Sequence, residues 1–364
     1  MKKTKNLRAD RSVSGEDGVL RRIRKSISEV GIPKSGLHLG MGDDAALFEP
    51  AKGCEVILTC DWFLEGTHFL RDVHPPDAVG WKCLARALSD IAAMGGVPRC
   101  FLLSLALPAT HTGRWLDGFL RGLGRASRRF QCVLAGGDTT RRKEILINVS
   151  VVGEVRSGKA LLRSRAKPGE VLFVSGRLGE AELGLRLIRR SKRRLNFRDP
   201  LLQMHLYPEP RLALGHWLAE KRLASAMMDL SDGLSVDLPR LCAASGVGAQ
   251  IRADKIPTVR PRGVAGSAAD DPKELALHGG EDYELLFTVP KRKVRQLPRS
   301  FQGIPLTAIG EITRQRSLLL IDAAGQEAPL PKRGWDPFRK SSLRDKLLGR
   351  RAIGLKAGRN GGSG

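Results

Sequence analysis

Long apolar runs are missing from this 364-residue chain, and none approaches the roughly 18 residues that a membrane-spanning helix needs. Its first residues, Met1-Lys2-Lys3-Thr4-Lys5, lead into more charge and not into the apolar core of a signal peptide, so we expect a cytoplasmic protein with no membrane partner. The six cysteines (Cys54, Cys60, Cys83, Cys100, Cys132, Cys242) contain no Cys-x-x-Cys pair, which argues against a zinc site or a disulfide framework. Most sit in apolar runs, where a free thiol acts as a small core residue. No Gly-x-x-x-x-Gly-Lys-Ser/Thr loop is present, so a P-loop nucleoside triphosphatase is disfavoured. A Gly-x-Ser-x-Gly elbow is absent too, and no Cys/His pair stands out as a nucleophile.

Acidic residues are also in deficit, with 38 Asp+Glu against 62 Lys+Arg and a net charge of +24. Such a charge invites a nucleic-acid reading, but its distribution argues otherwise. Residues 1–14 supply +4 and residues 339–364 supply +7, and seven more basic residues lie between Arg186 and Arg198. Charge gathered in tails and one surface segment suits solubility or loose RNA contact, so we expect no specific nucleic-acid partner.

Against that basic background, the carboxylates that do occur are clustered in glycine-rich sequence. The clusters are Gly42-Asp43-Asp44-Ala45-Ala46, Asp61 at the end of a strand-like run, Leu88-Ser89-Asp90, Gly136-Gly137-Asp138-Thr139-Thr140, Asp229-Leu230-Ser231-Asp232-Gly233 and Gly279-Gly280-Glu281-Asp282-Tyr283-Glu284. Carboxylates beside tight backbone turns suit Mg²⁺, which takes oxygen ligands, keeps some waters and shares itself with substrate phosphates. The contrast points to a metal–nucleotide enzyme.

Taken singly, each cluster keeps a plainer alternative. Gly137-Asp138 could be a phosphate cradle or an ordinary turn entered from a strand over 132–135. Ser231 or Asp232 could cap the helix that follows. Lys82, Arg86 and Asp90 fall at i, i+4 and i+8 on a helix predicted over 76–94, so Asp90 taken alone reads as part of a salt-bridged surface. His68 and Trp335 read equally as structural packing residues. Strands are predicted over 55–60, 100–107, 145–155, 171–175, 283–289 and 306–312, and helices over 16–30, 113–129, 179–190 and from 234 to about 244. Strands and helices mix without a regular βαβ repeat, which favours an α+β (mixed α/β) fold in two domains. We expect a basic tail over 1–13, domains over 14–156 and 157–338, and a second disordered basic tail over 339–364.

In order along the chain, nine segments resemble the thiamine-monophosphate kinase family, whose superfamily includes aminoimidazole ribonucleotide synthetase and selenophosphate synthetase. They are Gly40–Ala46, Thr59-Cys60-Asp61, Glu65–Phe69, Leu88–Gly96, Gly136–Thr140, Leu162–Gly169, Asp229–Leu234, Gly279–Leu285 and Gly334–Phe338. The resemblance implies a two-domain fold like that of aminoimidazole ribonucleotide synthetase, in a homodimer paired through strands of its N-terminal domain. It implies ATP-dependent phosphorylation of thiamine monophosphate to thiamine diphosphate, by direct transfer of the γ-phosphoryl group with several Mg²⁺ ions. By position, Asp44, Thr59, Cys60, Asp61, Asp90, Asp138, Asp229 and Asp232 match the metal set, and Asp61, Asp138 and Asp229 would carry catalysis. Gly137, Asp138, Arg163 and Ser231 match the ATP contacts, while His68, Glu281 and Trp335 match the thiamine-phosphate contacts. Cys60 stands where the family usually has a hydroxyl residue, which is harmless only if that position coordinates through its carbonyl. Other members of the superfamily, or a basic nucleic-acid-binding protein that has lost catalysis, are the alternatives. His68 and Trp335 favour thiamine, and the retained acidic positions argue against lost catalysis.

Overall fold

The computed structural model describes residues 16–27, 36–191, 195–259, 270–335 and 338. The two basic tails expected over 1–13 and 339–364 lie outside the described residues. In the first half, α1 (Glu16–Ile27), β1 (Leu37–Leu39), β2 (Leu47–Phe48), β3 (Cys54–Leu64), α2 (Pro76–Ala93), β4 (Val97–Leu107), α3 (Arg114–Phe130), β5 (Val133–Arg141) and β6 (Leu146–Arg156) follow in order. The second half begins with β7 (Val171–Ser175), α4 (Glu180–Arg190), α5 (Pro200–Leu206), α6 (Leu212–Glu220), β8 (Met227–Leu230), α7 (Leu234–Ser245) and β9 (Gly248–Arg252). It ends with α8 (Pro272–His278), β10 (Glu284–Val289), β11 (Ser300–Phe301), β12 (Ile304–Thr313), β13 (Leu318–Ile321) and β14 (Glu327–Pro329).

Each half is built on one sheet. The first runs β3-β6-β4-β5, and its β4–β5 pair is parallel. The second runs β14-β13-β9-β12-β7-β10-β8, with β11 hung on β12. Several predicted boundaries move, β4 starting at Val97 and β12 spanning Ile304–Thr313, and two of the shifts bear on the site. The strand carrying Asp61 continues to Leu64, and β5 runs straight through Gly136-Gly137-Asp138 instead of turning there. The reason at Gly137 is steric: a Cβ there would lie 1.9 Å from the Leu103 carbonyl oxygen, so only glycine lets β5 lie this close to β4.

Strand alternation divides the side chains of β3 between two faces. Ile57 and Phe63 face a core shared with Leu84, Leu88 and Ile91 of α2, whereas Val56, Leu58, Cys60 and Trp62 are exposed on the other face. The helix α2 starts at Pro76, with its fixed φ and no wasted donor, and stops at Met94-Gly95, where Gly95 takes φ +73°. It is buried nearly all round, as expected for a helix packed on several sides. One neighbour is α3: Cβ atoms at Gly80 and Gly122 would lie 2.0 Å from Phe119 O and 1.8 Å from Asp77 O respectively. Another is α6, because Ala92 and Ala93 share a core cluster with Leu214, Leu218 and Leu223. The last turn of α2 is thereby locked to the second half. Among the described residues no helix is long and apolar enough to cross a membrane.

The backbone contact between α2 and α3 has a measurable consequence. Gly122→Ala must push the helices apart and should lower stability by about 2–3 kcal/mol, the scale of overpacking a dense core. Chemical unfolding of the variant beside the parent measures it, and an unchanged midpoint would contradict the contact.

Candidate active site

Two elements of the first half and two loops of the second supply the polar groups that meet at their junction. On α2, Lys82, Arg86 and Asp90 line one face, with Ser89 beside them; Lys82 is only 2% exposed, so this row is no solvated surface. Thr59 on β3 donates its hydroxyl to the Asp90 carboxylate. Asp61, two residues on and so on the same face, has an oxygen 4.0 Å from Arg86 Nε. The Arg86 guanidinium lies over the Phe63 ring at 5.3 Å. From the second half, Asp229 at the end of β8 accepts a hydrogen bond from Ser89 Oγ at 2.8 Å.

Beyond Asp229 the chain turns through Ser231-Asp232-Gly233 into α7. The predicted side-chain cap does not form, since Gly233 stands at the N-cap; instead Asp237 Oδ2 reaches back to accept from the backbone N–H of Ser231 (3.1 Å) and of Asp232 (3.0 Å). The Asp232 carboxylate is paired with Arg240 at 2.5 Å. Trp335 donates its backbone N–H to the Asp232 carbonyl at 3.0 Å, with its side chain 46% exposed. Arg163 is exposed, and its charge reaches Asp229.

Electrostatics mark this junction as short of positive charge. Burial raises the Asp61 pKa, and the charges of Asp90 and Asp232 raise it further against the opposing pull of Arg86. The Asp229 pKa is raised in the same sense, first by burial and then by Asp90. Carboxylates that repel one another in a partly dry site favour a proton or a cation among them. Asp61, Asp90 and Asp229, with the Thr59 hydroxyl, are hard oxygen donors, so the donor chemistry fits Mg²⁺. Among the described residues, however, no three carboxylate, imidazole or thiol groups are close enough to hold an ion unaided.

Glu281 is held with unusual firmness. It sits at φ +67° and Tyr283 at +51°, both left-handed, in the loop between α8 and β10. Its backbone N–H donates to Ser231 O at 2.8 Å, joining the loop to the Asp229–Gly233 turn. Next to it, Asp282 caps α4 by accepting from the N–H groups of Gly179 (2.7 Å) and Ala181 (3.1 Å). The Glu281 carboxylate accepts from Lys82 Nζ at 2.9 Å, and His205 Nδ1 lies 3.4 Å away. Burial alone would raise the Glu281 pKa, but Lys82, His205 and Arg86 together bring it down to about 2. At Lys82 the balance goes the other way, and burial lowers its pKa despite Glu281. The pair stays ionised because each charge is the other's compensation for lost water.

Behind this pair, His205 Nε2 lies 3.2 Å from His74 Nε2, and His74 Nδ1 accepts from the Leu70 N–H at 3.0 Å. Burial lowers both imidazoles, His74 to about 4, so both rings are neutral at pH 7. Two proton orders fit the contacts: either His74 Nε2–H donates to His205 and His205 Nδ1–H to Glu281, or Lys82 donates to His205 Nδ1 (3.3 Å), His205 Nε2–H to His74, and His74 Nδ1–H to the Leu70 carbonyl (3.2 Å). His68 is neutral too, lowered to about 4 by burial and by Arg86. Its Nδ1 accepts from Leu64 N–H at 2.9 Å, which leaves Nε2–H as a donor for a ligand.

Not every expected residue joins this group. Across the first sheet Asp61, Val149, Leu103 and Gly137 form one row, which puts Gly137 three strands from Asp61, roughly 14 Å at ordinary strand spacing. Asp138 pairs with Ser104 and shares the exposed face with Trp62, on the other side of the sheet from Asp61. The segment before β2 packs on that same side, with Leu37 against Val133 and Ala135, and it carries the exposed Asp44. Cys60 also points away from Asp61, its Sγ 3.1 Å from Asn148 Nδ2. From the Cys60 position, then, the backbone carbonyl is the group that could reach an ion beside Asp61. Sequence reasoning missed Ser89, Lys82, Arg86, His74 and His205 as parts of the site. The spacing of Lys82 and Arg86 with Asp90 was the available signal, whereas His74 and His205 lie 131 residues apart and offered none.

Known proteins share this organisation. A model of the AIR synthase related protein N-terminal domain matches residues 42–155, and one of the C-terminal domain matches residues 167–322. Thiamine-monophosphate kinase of Bacillus subtilis is 33% identical over 327 residues, 86% of this chain and 98% of that protein. The Escherichia coli K12 enzyme is 35% identical over 323 residues, covering 87% of this chain and 97% of its own. The chain belongs to the thiamine-monophosphate kinase family. Among solved structures, the Stenotrophomonas maltophilia thiamine-monophosphate kinase superposes with a TM-score of 0.74 at 34% identity, covering 85% of this chain and 97% of that one. AaThiL complexed with AMPPCP and TMP gives 0.69 at 33%, covering 89% and 97%. The hydrogenase maturation protein HypE reaches 0.70 at only 18% identity and shares the fold. This chain is therefore a kinase with two domains of the AIR synthase type.

The histidine relay gives a pH-dependent prediction. The folded pKa of His74 lies below its unfolded value, so the stability it contributes is present above pH 6.5 and lost as pH falls toward 4. His74→Gln cannot titrate. The stability gap between parent and variant, measured by chemical unfolding at pH 7.5 and 4.5, should close by about 2–3 kcal/mol. A gap independent of pH would show that His74 is not buried as a neutral ring.

Proposed function

We propose that this enzyme transfers the γ-phosphoryl group of ATP to the phosphate of thiamine monophosphate, giving thiamine diphosphate, with Mg²⁺ held by the aspartate cluster. The observation that carries the reading is the meeting of Asp61, Asp90 and Asp229 from both halves beside His68 and Glu281. Family membership and the likeness to AaThiL complexed with AMPPCP and TMP support the choice of substrates. Residues 14–156 would be the half that binds ATP and metal, and 157–338 the half that completes the substrate site.

Two polyanions must meet for this reaction, so charge neutralisation and alignment dominate it. Bound Mg²⁺ would supply the positive charge that bridges phosphate oxygens. Asp61, Asp90 and Asp229 would hold it, with Thr59 assisting, and Asp232 would release Arg240 to take a further ion. A phosphate monoester has its second pKa near ~6 and is largely dianionic at neutral pH. Its own oxygen is the nucleophile, and no protein base has to remove a proton. Neutral His68 would donate from Nε2, ionised Glu281 would face the cationic thiazolium, and Trp335 would offer that ring its π face. Arg163 and Ser231 would contact ATP.

Asp44, Gly137 and Asp138 enter through resemblance to the ATP and metal positions; Gly137 keeps the face of Asp61 but three strands away, whereas Asp44 and Asp138 lie on the exposed sheet face. That face also bears Val56, Leu58, Trp62 and Leu102, of which Leu58 is 74% exposed. An apolar patch of this kind marks a partner surface, and a second copy of the chain covering it in a homodimer is the reading we favour. Leu58→Lys should then shift the protein from dimer to monomer in light scattering at micromolar concentration. A parent that is already monomeric would refute the dimer.

A coupled assay of ADP release with thiamine monophosphate tests the reaction itself. Asp61→Asn should lower turnover by about a hundredfold or more, the scale for losing a transition-state charge stabiliser, and excess chelator should abolish it. Near-parental turnover of the variant at limiting Mg²⁺ would overturn the metal role of Asp61.

A further inference from the structure

Arg86 is a largely buried cation, its side chain 14% exposed, with two of its three nitrogens unpaired. Its Nε and Nη1 atoms are inaccessible to solvent, yet neither has a hydrogen-bond partner. The nearest carboxylate oxygen, on Asp61, is 4.0 Å from Nε and too far for a hydrogen bond. Leaving a charged donor dry and unpaired is costly, and folds rarely tolerate it without a use. The Phe63 ring under the guanidinium fixes its plane, so the open donors have a set direction.

Its neighbours suggest what the donors await. The Arg86 charge acts on His68 and Glu281 and also on Asp61, and its guanidinium lies over the Phe63 ring that stacks on His68. It thus neighbours both the groups we assign to thiamine and a carboxylate we assign to metal. Of the nearby cations, Lys82 is engaged with Glu281 and Arg240 with Asp232 and Asp237, while Arg163 lies on the Asp229 side and is assigned above to ATP.

We propose that Arg86 binds the phosphate of the accepting monophosphate ester through its open Nε and Nη1 donors. The inference rests on the kinase reading above and adds a residue to it. Charge-assisted hydrogen bonds to a guanidinium hold a phosphate more firmly than neutral donors do. Positive charge at this point also offsets the repulsion between the acceptor phosphate and the Asp61 carboxylate. Asp61 has to stay close to hold metal, so something must separate like charges there.

Calorimetric binding of thiamine monophosphate and of unphosphorylated thiamine to the full chain, parent beside Arg86→Gln and Arg86→Lys, tests it. Arg86→Gln should weaken thiamine monophosphate by about 10- to 100-fold, the range for one charge-assisted contact, and change thiamine less than about threefold. Arg86→Lys, which keeps the charge but loses the fork, should fall between. The KM for ATP should hardly move. Equal weakening of both thiamine ligands, or a shift in ATP instead, overturns the assignment while leaving the kinase standing. Melting temperatures guard against misfolding, and if Arg86→Gln does not fold, the two ligands compared on Arg86→Lys decide the question. Absence of ADP release by the parent with thiamine monophosphate would overturn both the kinase reading and this one.

Discussion

The ion pair between Lys82 and Glu281 joins the two halves where water is scarce, and the geometry of the site follows from it. Lys82 comes from a helix packed among core elements, and Glu281 from a loop held in left-handed backbone. Neither charge would be tolerated there alone, since a buried ion without its partner costs several kcal/mol. The pair therefore ties the Gly279–Tyr283 loop to α2. With it comes the Asp229–Gly233 turn, to which the loop is hydrogen-bonded at Ser231 and Leu230.

A second link, Ser89 to Asp229, crosses the same junction and brings a carboxylate from the far sheet toward Thr59 and Asp90. The apolar lock between the end of α2 and α6 makes both links geometrically cheap, because Gly215 and Gly95 let backbones touch. Packing at one end of a single helix thus sets the spacing of charges along it. A site for phosphate transfer needs such crowding: carboxylates near enough to share a cation, and basic groups near enough to keep two polyanions from repelling each other.

Much of the architecture was legible in the chain. The helix over 76–94 shows apolar residues at helical spacing, with Pro76 to start it and Gly95-Gly96 to stop it, and it forms over Pro76–Ala93. The strands over 171–175 and 283–289 are apolar runs that both faces of the second sheet bury, and they appear within a residue of expectation. Boundaries failed where local chemistry was overruled from a distance. Gly-Gly-Asp reads as a turn, yet close approach to β4 holds it in a strand. The helices α5, α6 and α8 went unread, being only seven to nine residues long and without strong periodicity.

For the site the division has a physical cause. Sequence by itself determined which residue types are available: acidic clusters amid basic sequence, glycines where backbones meet, and a row of Lys82, Arg86 and Asp90 on one helix face. Those depend on composition and on the 3.6-residue period, both local properties. Only the tertiary structure decided which carboxylates share a space. It separates Asp138 and Cys60 from Asp61 because adjacent side chains of a strand point to opposite faces, and pairing across three strands sets which face each takes. It also decided that Lys82 and Arg86 are buried rather than solvated, and that His74 meets His205. Burial and long-range contact arise from how the two sheets close on α2, and no spacing along the chain encodes that distance.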